Sequence, residues 1–330
     1  MGLLVEGKWK DEWYDTESSG GKFVRMDAGF RNWVTADGRP GPSGEGGFHA
    51  EANRYHLYIS HACPWANRAA IFRKLKKLES VISLSVVDFF MGSEGWTFGE
   101  EADGSTKDAL LKVDRMHQVY TAAEADYTGR VTVPVLWDKF QETIVSNESS
   151  EIIRMFNSAF AALTDDKYDY YPLELQDEID AINQRIYDTV NNGVYKCGFA
   201  TTQEAYESAF LPLFETLDFL EQRLETNQYL MGDLITEADW RLFTTLVRFD
   251  PVYVGHFKCN KRRIADYHNL ANYTRELFQW PGVAETINMR HIKGHYYFSH
   301  DMINPTRVIP VGPDLDYAAP HDRERLSSSQ

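Results

Sequence analysis

Apolar positions are grouped differently along the two halves of the chain. Tyr55-His56-Leu57-Tyr58-Ile59-Ser60 is a short, nearly continuous apolar run, which predicts a buried strand over 55–60. Pro64 opens the next stretch and Lys76-Lys77 closes it, so a helix is predicted over 64–77, with proline at its start and positive charge at its end. Residues 81–88 (Val-Ile-Ser-Leu-Ser-Val-Val-Asp) predict a second, mostly buried strand, and 55–88 therefore reads as a βαβ unit. A polar, weakly periodic stretch containing Trp96 fills 89–130. Two strands follow at 131–137 and 143–146, joined by a polar turn at 138–142, and 147–150 leads into a helix from Glu151.

Beyond about 168 the period changes. Leu175, Ile179, Ile182, Ile186 and Val190 recur at four, three, four and four residues, and Tyr206, Phe210, Leu213, Leu217, Leu220 and Leu224 mark a second helix in the same way. Thr236-Glu237-Ala238-Asp239 reads as the capped start of a third helix through Leu242, Leu246 and Val247. The order β-α-β then β-β-α is that of a thioredoxin-like domain, and the remainder is all-helical. The expected fold class is α/β plus all-α. The expected layout is an N-terminal coil over 1–50, a thioredoxin-like domain over 51–165, an all-helical domain over 166–300 and an extension over 301–330. Residues 303–317, with Pro305, Pro310 and Pro313, read as extended chain that docks on the body or on a partner subunit. The glycine-rich run 36–47 is a loop, not a phosphate loop, because no Gly-Lys-Ser/Thr follows it and no strand precedes it.

Charge and cysteine usage narrow the function. A net charge of −15 and a pI near 5.1 repel phosphate backbones and argue against nucleic-acid binding. Cys63, Cys197 and Cys259 are odd in number and never in Cys-x-x-Cys spacing, which predicts neither a disulfide framework nor a zinc ribbon and points to a reducing compartment. With no signal-peptide core and no membrane-length apolar run, the expectation is a cytoplasmic, soluble protein.

The candidate chemistry starts at Cys63. The strand 55–60 runs into Cys63-Pro64-Trp65-Ala66, placing the thiol where a helix begins. Unpaired N–H groups and a partial positive charge there favour thiolate over thiol. Most free cysteines are merely small buried hydrophobes; the strand-to-helix junction and the following proline set this one apart. Ala66 stands where a redox pair would have its second cysteine, so the thiolate must react with an external sulfur, which points to glutathione. Pro134 interrupts a strand, as an edge strand would allow; the alternative is a cis bond that turns the Val133 backbone toward a peptide-like ligand. Glu148 and Ser149 open a helix. They suit a plain N-cap, and equally an amino-acid head group, with N–H groups taking its carboxylate and Glu148 its ammonium. His291 and His295 have i, i+4 spacing without the Glu of a zinc motif, and no metal is expected. Cys197 and Cys259 read as packing residues.

Taken together, these features resemble a glutathione transferase, and more narrowly the glutathionyl-hydroquinone reductases, the Xi class. The residues that carry the likeness are Cys63-Pro64-Trp65-Ala66, Gly95-Trp96-Thr97-Phe98, 130–138, Ser146-Asn147-Glu148-Ser149, 188–196, 248–253 and His295-Tyr296-Tyr297, and it runs nearly end to end. Asn67 departs from an expected His. The resemblance implies Cys63 as nucleophile, and Trp96, Arg130, Val133 (through its backbone), Glu148 and Ser149 as the holders of glutathione. It implies Tyr195 as proton donor to the leaving hydroquinone, with Tyr253 and Tyr296 supporting the thiolate. It further implies a homodimer through the helical domains, glutathione as co-substrate and a ping-pong reaction through a Cys63–glutathione mixed disulfide. Its rivals are an omega-like thiol transferase or dehydroascorbate reductase, which needs no tyrosine set, and a non-catalytic transferase-like module.

Overall fold

The computed structural model describes residues 2–99 and 104–326; residues 1, 100–103 and 327–330, among them the outermost ends of the expected 1–50 and 301–330 extensions, lie outside the described residues. The chain forms two units that interleave in sequence. The first comprises Met1–Trp13, Met26–Tyr168 and Glu285–Ile309, the second Tyr14–Arg25, Asp169–Ala284 and Pro310–Gln330.

The first unit opens with a hairpin where coil was expected. β1 (Leu3–Val5) and β2 (Lys8–Lys10) pair antiparallel across Glu6-Gly7, both at positive φ (49° and 71°), the backbone of a tight hairpin turn. β3 (Tyr55–Ile59) is buried at every position and leads into α1 (Pro64–Leu75). β4 (Ser83–Val86) lies parallel to β3 and completes the βαβ unit. A two-residue-stranded hairpin, β5 (Met91–Gly92) and β6 (Gly95–Trp96), comes next, and then α2 (Met116–Ala123) and β7 (Gly129–Arg130), which pairs with β1. β8 (Val135–Asp138) and β9 (Thr143–Ser146) finish a sheet of order β4-β3-β8-β9, and α3 (Ser149–Ser158) follows. Of the strand expected over 131–137 only the part from Val135 forms, because Pro134 has no N–H to give a ladder. The core lies between this sheet and its helices, with Leu57, Val135, Ile144, Phe72, Ile152 and Phe156 inaccessible.

Residues 26–50 wrap this unit instead of hanging free. Asn32 N donates to Val145 O at 2.9 Å and Asn147 N to Phe30 O at 3.2 Å, so the segment covers the open edge of β9. An uncovered edge would offer its amides to another chain.

In the second unit the helix expected through Leu175–Val190 is broken. α4 (Gln176–Ile186) passes into a π-helical turn, Tyr187–Asn191, and then α5 (Gly193–Gly198). α6 (Gln203–Thr226) and α7 (Glu237–Arg248) follow; Asp239 accepts from Thr236 N at 2.8 Å, Leu230 N at 2.9 Å and Tyr273 Oη at 2.6 Å. A second π-helical turn, Phe249–Tyr253, precedes α8 (His268–Gln279). The segment Tyr14–Arg25 packs here through Phe23, whose ring meets Tyr14 at 4.7 Å and Phe199 at 5.3 Å. The end of the chain also docks here: buried Arg323 donates to Leu224 O at 2.6 Å and Asn227 O at 2.7 Å, satisfying carbonyls that α6 leaves open at its C-terminus.

The chain then returns to the first unit with α9 (Met289–Ser299), so the boundary expected at 300 falls after a helix that belongs with the sheet. Asn67 Nδ2 holds Thr286 O (3.2 Å) and Oγ1 (3.0 Å), and Met91 N bonds Ser299 Oγ at 3.0 Å. The expected 1–50 and 301–330 extensions are likewise divided between the units. Among the described residues no helix is long and apolar enough to cross a membrane.

His56 in β3 is 1% exposed, with Nδ1 2.7 Å from Ser83 Oγ and Nε2 2.9 Å from Ser85 Oγ, and burial lowers its pKa from 6.5 to about 4. The ring is neutral in the fold yet charges freely when the chain unfolds, so its stabilising effect is complete above pH 6.5 and fades as pH falls toward 4. Moving from pH 7.5 to about 4.5 should cost about 2–3 kcal/mol through this residue. Urea titrations at both pH values should show His56→Gln losing that much less than the parent; equal losses would exclude His56 as the source.

Candidate active site

Cys63 is the N-cap of α1, with φ −76° and ψ 121°, and Pro64 occupies the first helical turn. Its carbonyl accepts from Asn67 N at 3.0 Å, so the helix starts properly, but its side chain makes no capping hydrogen bond. The half-buried sulfur instead donates to Val133 O at 3.5 Å. A helix start of this kind favours a negative sulfur, and the arrangement suits a nucleophile.

Val133 precedes a cis bond to Pro134 and is 4% exposed. Its neighbourhood is held by Tyr120, whose Oη donates to Thr132 O at 2.9 Å and accepts from Thr132 N at 3.2 Å and Asn147 Nδ2 at 3.1 Å. Burial pushes the Tyr120 phenol above its ordinary pKa, which keeps it the neutral donor this network needs.

Glu148 caps α3 by accepting from Ser150 N at 2.9 Å and Ser150 Oγ at 2.8 Å. Ser149 is buried at the helix start, and its Oγ accepts from Arg68 Nη1 at 3.4 Å. Arg68, itself on α1 and 1% exposed, lies over the Trp65 ring at 4.5 Å. Both helix starts therefore lean on one arginine.

Trp96 ends the β5–β6 hairpin and is 3% exposed. Its ring stacks on His295 of α9 at 4.6 Å and 23°, and His295 Nδ1 lies 2.9 Å from Phe89 O. Trp9 of β2 seats the hairpin, donating from Nε1 to Ser93 O at 2.7 Å. Gly95 has φ +70°, and a Cβ there would sit 2.7 Å from the Trp9 ring. Arg130 donates to Trp13 O at 2.8 Å and to Glu12 O, pinning the chain where it leaves the first hairpin. Tyr296 is 1% exposed, beside His295 and at right angles to His300 (5.6 Å). The first unit thus contains Cys63, Trp96, Arg130, Val133, Glu148, Ser149 and Tyr296.

Tyr195 and Tyr253 belong to the second unit and lie together there, ring centroids 6.2 Å apart, with Phe257 5.5 Å from each. Arg25 sits over the Tyr195 ring at 4.9 Å. Cys197 and Cys259, also in this unit, are buried free thiols; Cys259 Sγ donates to Phe257 O at 3.7 Å, and burial, followed by the nearby Cys197, pushes the Cys259 thiol well up. Among the described residues no group of three or more His, Cys, Asp or Glu could hold a metal ion.

Sequence reasoning missed Arg68, Asn147, Tyr120 and His295. Asn147 stands inside a quoted motif and Arg68 two residues beyond one, but only burial reveals what their side chains serve. His295 was weighed as a metal ligand; it is a stacking partner.

Both halves of this architecture match known families: the glutathione S-transferase N-terminal domain over residues 62–159 and the C-terminal domain over 203–276. A redox-type thiol at a helix start on this fold is a transferase of that superfamily. Over 98% of its length the chain is 59% identical to glutathionyl-hydroquinone reductase YqjG of Escherichia coli, of which it covers 99%. The glutathione-bound structure of that relative superposes with a TM-score of 0.90, covering 98% of this chain and 99% of that one. A Xi-class transferase from Natrialba magadii, 46% identical, also gives 0.90, over 99% and 97%. The chain belongs to the glutathionyl-hydroquinone reductases, the Xi class of glutathione transferases.

Gly95→Ala should strain the turn that presents Trp96 and press on Trp9. The expected result is a loss of about 1–2 kcal/mol in stability together with a shift in tryptophan emission; a variant with unchanged unfolding midpoint and spectrum would show the turn to be unconstrained.

Proposed function

We propose that this protein removes glutathione from glutathionyl-hydroquinones, returning the hydroquinone and oxidised glutathione. The observation that carries this reading is the lone thiol at the start of α1, beside the Val133 carbonyl and with Ala66 in place of a second cysteine. Such a sulfur can take a glutathionyl group but has no neighbour in its own motif to release it.

The first half-reaction is attack of the Cys63 thiolate on the glutathione sulfur of the substrate. A Cys63–glutathione disulfide forms, and the carbon–sulfur bond breaks with its electron pair going to the hydroquinone carbon. That carbon takes a proton from Tyr195, while Tyr253 and Tyr296 support the thiolate beforehand by phenol hydrogen bonding. In the second half, a glutathione thiolate attacks the mixed disulfide, releasing oxidised glutathione and restoring the Cys63 thiolate. Atoms and electrons balance: one thioether and one thiol become one hydroquinone and one disulfide.

Glutathione is held by the N-terminus of α3 with Glu148 and Ser149, by the backbone of Val133 in the manner of an added strand, and by Trp96 and Arg130. Buried, prearranged groups at Ser149 and Val133 support this assignment, because they need little reordering when a peptide-like ligand arrives. The enzyme works in the cytoplasm as a homodimer.

Cys63→Ser should abolish turnover of a glutathionyl-hydroquinone, and substantial retained activity would sink the scheme. Tyr195→Phe should slow formation of the mixed disulfide by about 10²–10⁴-fold in single-turnover mass spectrometry. Its release by added glutathione should be nearly unchanged. Equal slowing of both halves would remove Tyr195 from the proton-transfer role. Faster turnover on dehydroascorbate than on the glutathionyl-hydroquinone would favour the omega-like reading instead.

A further inference from the structure

Helix α7 ends on a carbonyl that its own ladder cannot serve. In a regular helix Val247 O would accept from the amide four residues on. Residue 251 is a proline, which has no N–H to give and whose ring crowds that same carbonyl. Val247 is 0% exposed and Pro251 is buried as well, so solvent does not stand in for the missing donor. A buried carbonyl in this position needs a partner from elsewhere in the fold.

Tyr317 supplies it from near the end of the chain. Its Oη donates to Val247 O at 3.0 Å, and burial pushes the phenol above its ordinary range, which keeps the proton in place. The backbone around it is fixed to α8: Gln279 Nε2 donates to Tyr317 O at 2.9 Å and to Ala319 O at 2.8 Å, and the Phe278 ring lies 5.4 Å from that of Tyr317. This strap, α7, α8 and the π-helical turn all belong to the second unit.

The turn Phe249–Tyr253 is tied at its other points by the chain that follows it. Asp250 accepts from Ile264 N at 2.6 Å and Ala265 N at 3.0 Å, and Tyr253 O accepts from Cys259 N at 2.9 Å. Its entry, where Pro251 breaks the ladder, is met by the strap. Tyr253 comes two residues after that proline, stacked on Phe257 at 5.5 Å, so a change in the turn's entry carries directly to its ring.

We propose that Tyr317 is a positioning residue for Tyr253: its hydroxyl replaces the donor that Pro251 lacks, and the C-terminal strap is thereby part of the reaction machinery. This rests on the reading above in which Tyr253 supports the Cys63 thiolate.

The test compares the full-length parent with Tyr317→Phe, Tyr253→Phe and the double variant. Tyr317→Phe keeps the ring against Phe278 and loses the hydroxyl alone. Iodoacetamide labelling of Cys63, followed by peptide mass spectrometry across about pH 5 to 9, reads the thiolate fraction. Near pH 6 each single variant should label about threefold more slowly than the parent, the mark of a thiol pKa raised by about half a unit. The double variant should be no slower than Tyr253→Phe, because both changes act through one phenol. A strap that is merely structural would lower the urea midpoint and leave the labelling profile of Tyr317→Phe on the parent's, which would overturn the proposal. A further slowing of similar size in the double variant would overturn it too. If Tyr253→Phe itself keeps the parent's profile, the thiolate role of Tyr253 fails on its own account. Amide hydrogen exchange over 249–254 then decides for the strap: faster exchange in Tyr317→Phe supports its hold on the turn, and unchanged exchange removes it.

Discussion

A helix that begins at a cysteine has backbone N–H groups with no carbonyl to receive them, and here the sulfur does not use itself up satisfying them. Cys63 has extended backbone angles, its carbonyl starts the helical ladder at Asn67, and its side chain turns to Val133 O. The positive end of α1 therefore acts on the sulfur without being neutralised by it. Holding that geometry takes much of the first unit. β3 must stop at Ile59, α1 must seat Ala66, Ala69, Ala70 and Phe72 in the core, and Arg68 must cross to Ser149. Burying an arginine with so weak a contact is costly unless its ring stack on Trp65 and its other partners compensate. Arg68 thereby joins the starts of α1 and α3.

The N-terminal residues extend the same constraint outward. Trp9 seats the hairpin that ends in Trp96, Arg130 fixes the chain at 12–13, and residues 30–32 close the edge of β9 just before the Glu148 cap. Each hydrogen bond contributes about 1 kcal/mol net. Their combined effect is geometric: the three places where the site meets loops are each backed by a different piece of one extension.

What was legible in the sequence follows the strength of the local signal. β3, β9 and the starts of α1, α3 and α7 are readable because an apolar run, a Cys-Pro step, a Glu-Ser cap or a Thr-x-x-Asp box marks each one. The β1–β2 hairpin was not, since three-residue strands show no period and Glu6 is a poor herald of a positive-φ turn. The strand expected over 131–137 starts only after Pro134. α9 was assigned to the helical part because helical period says nothing of which body a helix packs on. Cys197 and Cys259 were read as separate packing residues; both are buried, but their nearness depends on tertiary folding alone. At the site, the thiol and the α3 cap were visible as types in context. Arg68 and Asn147 were not, because a charged or amide residue in a helix or turn looks solvated until its burial is known.

The tyrosines show most clearly why spacing alone could not find them. Tyr195 stands on α5 directly after the π-helical turn Tyr187–Asn191, and Tyr253 ends the π-helical turn Phe249–Tyr253. A π turn takes more than 3.6 residues, so every side chain after it is rotated off the face that the preceding apolar positions define. A regular helix continued through Val190 would have carried Tyr195 to another side of its axis. The same applies to Tyr253 after α7. Two separate interruptions are needed to bring these phenols within 6.2 Å of each other, around Phe257. Turns of this kind break regular i to i−4 bonding. Their presence at both tyrosines is what a fold would keep if the phenols, and not helical regularity, were under constraint.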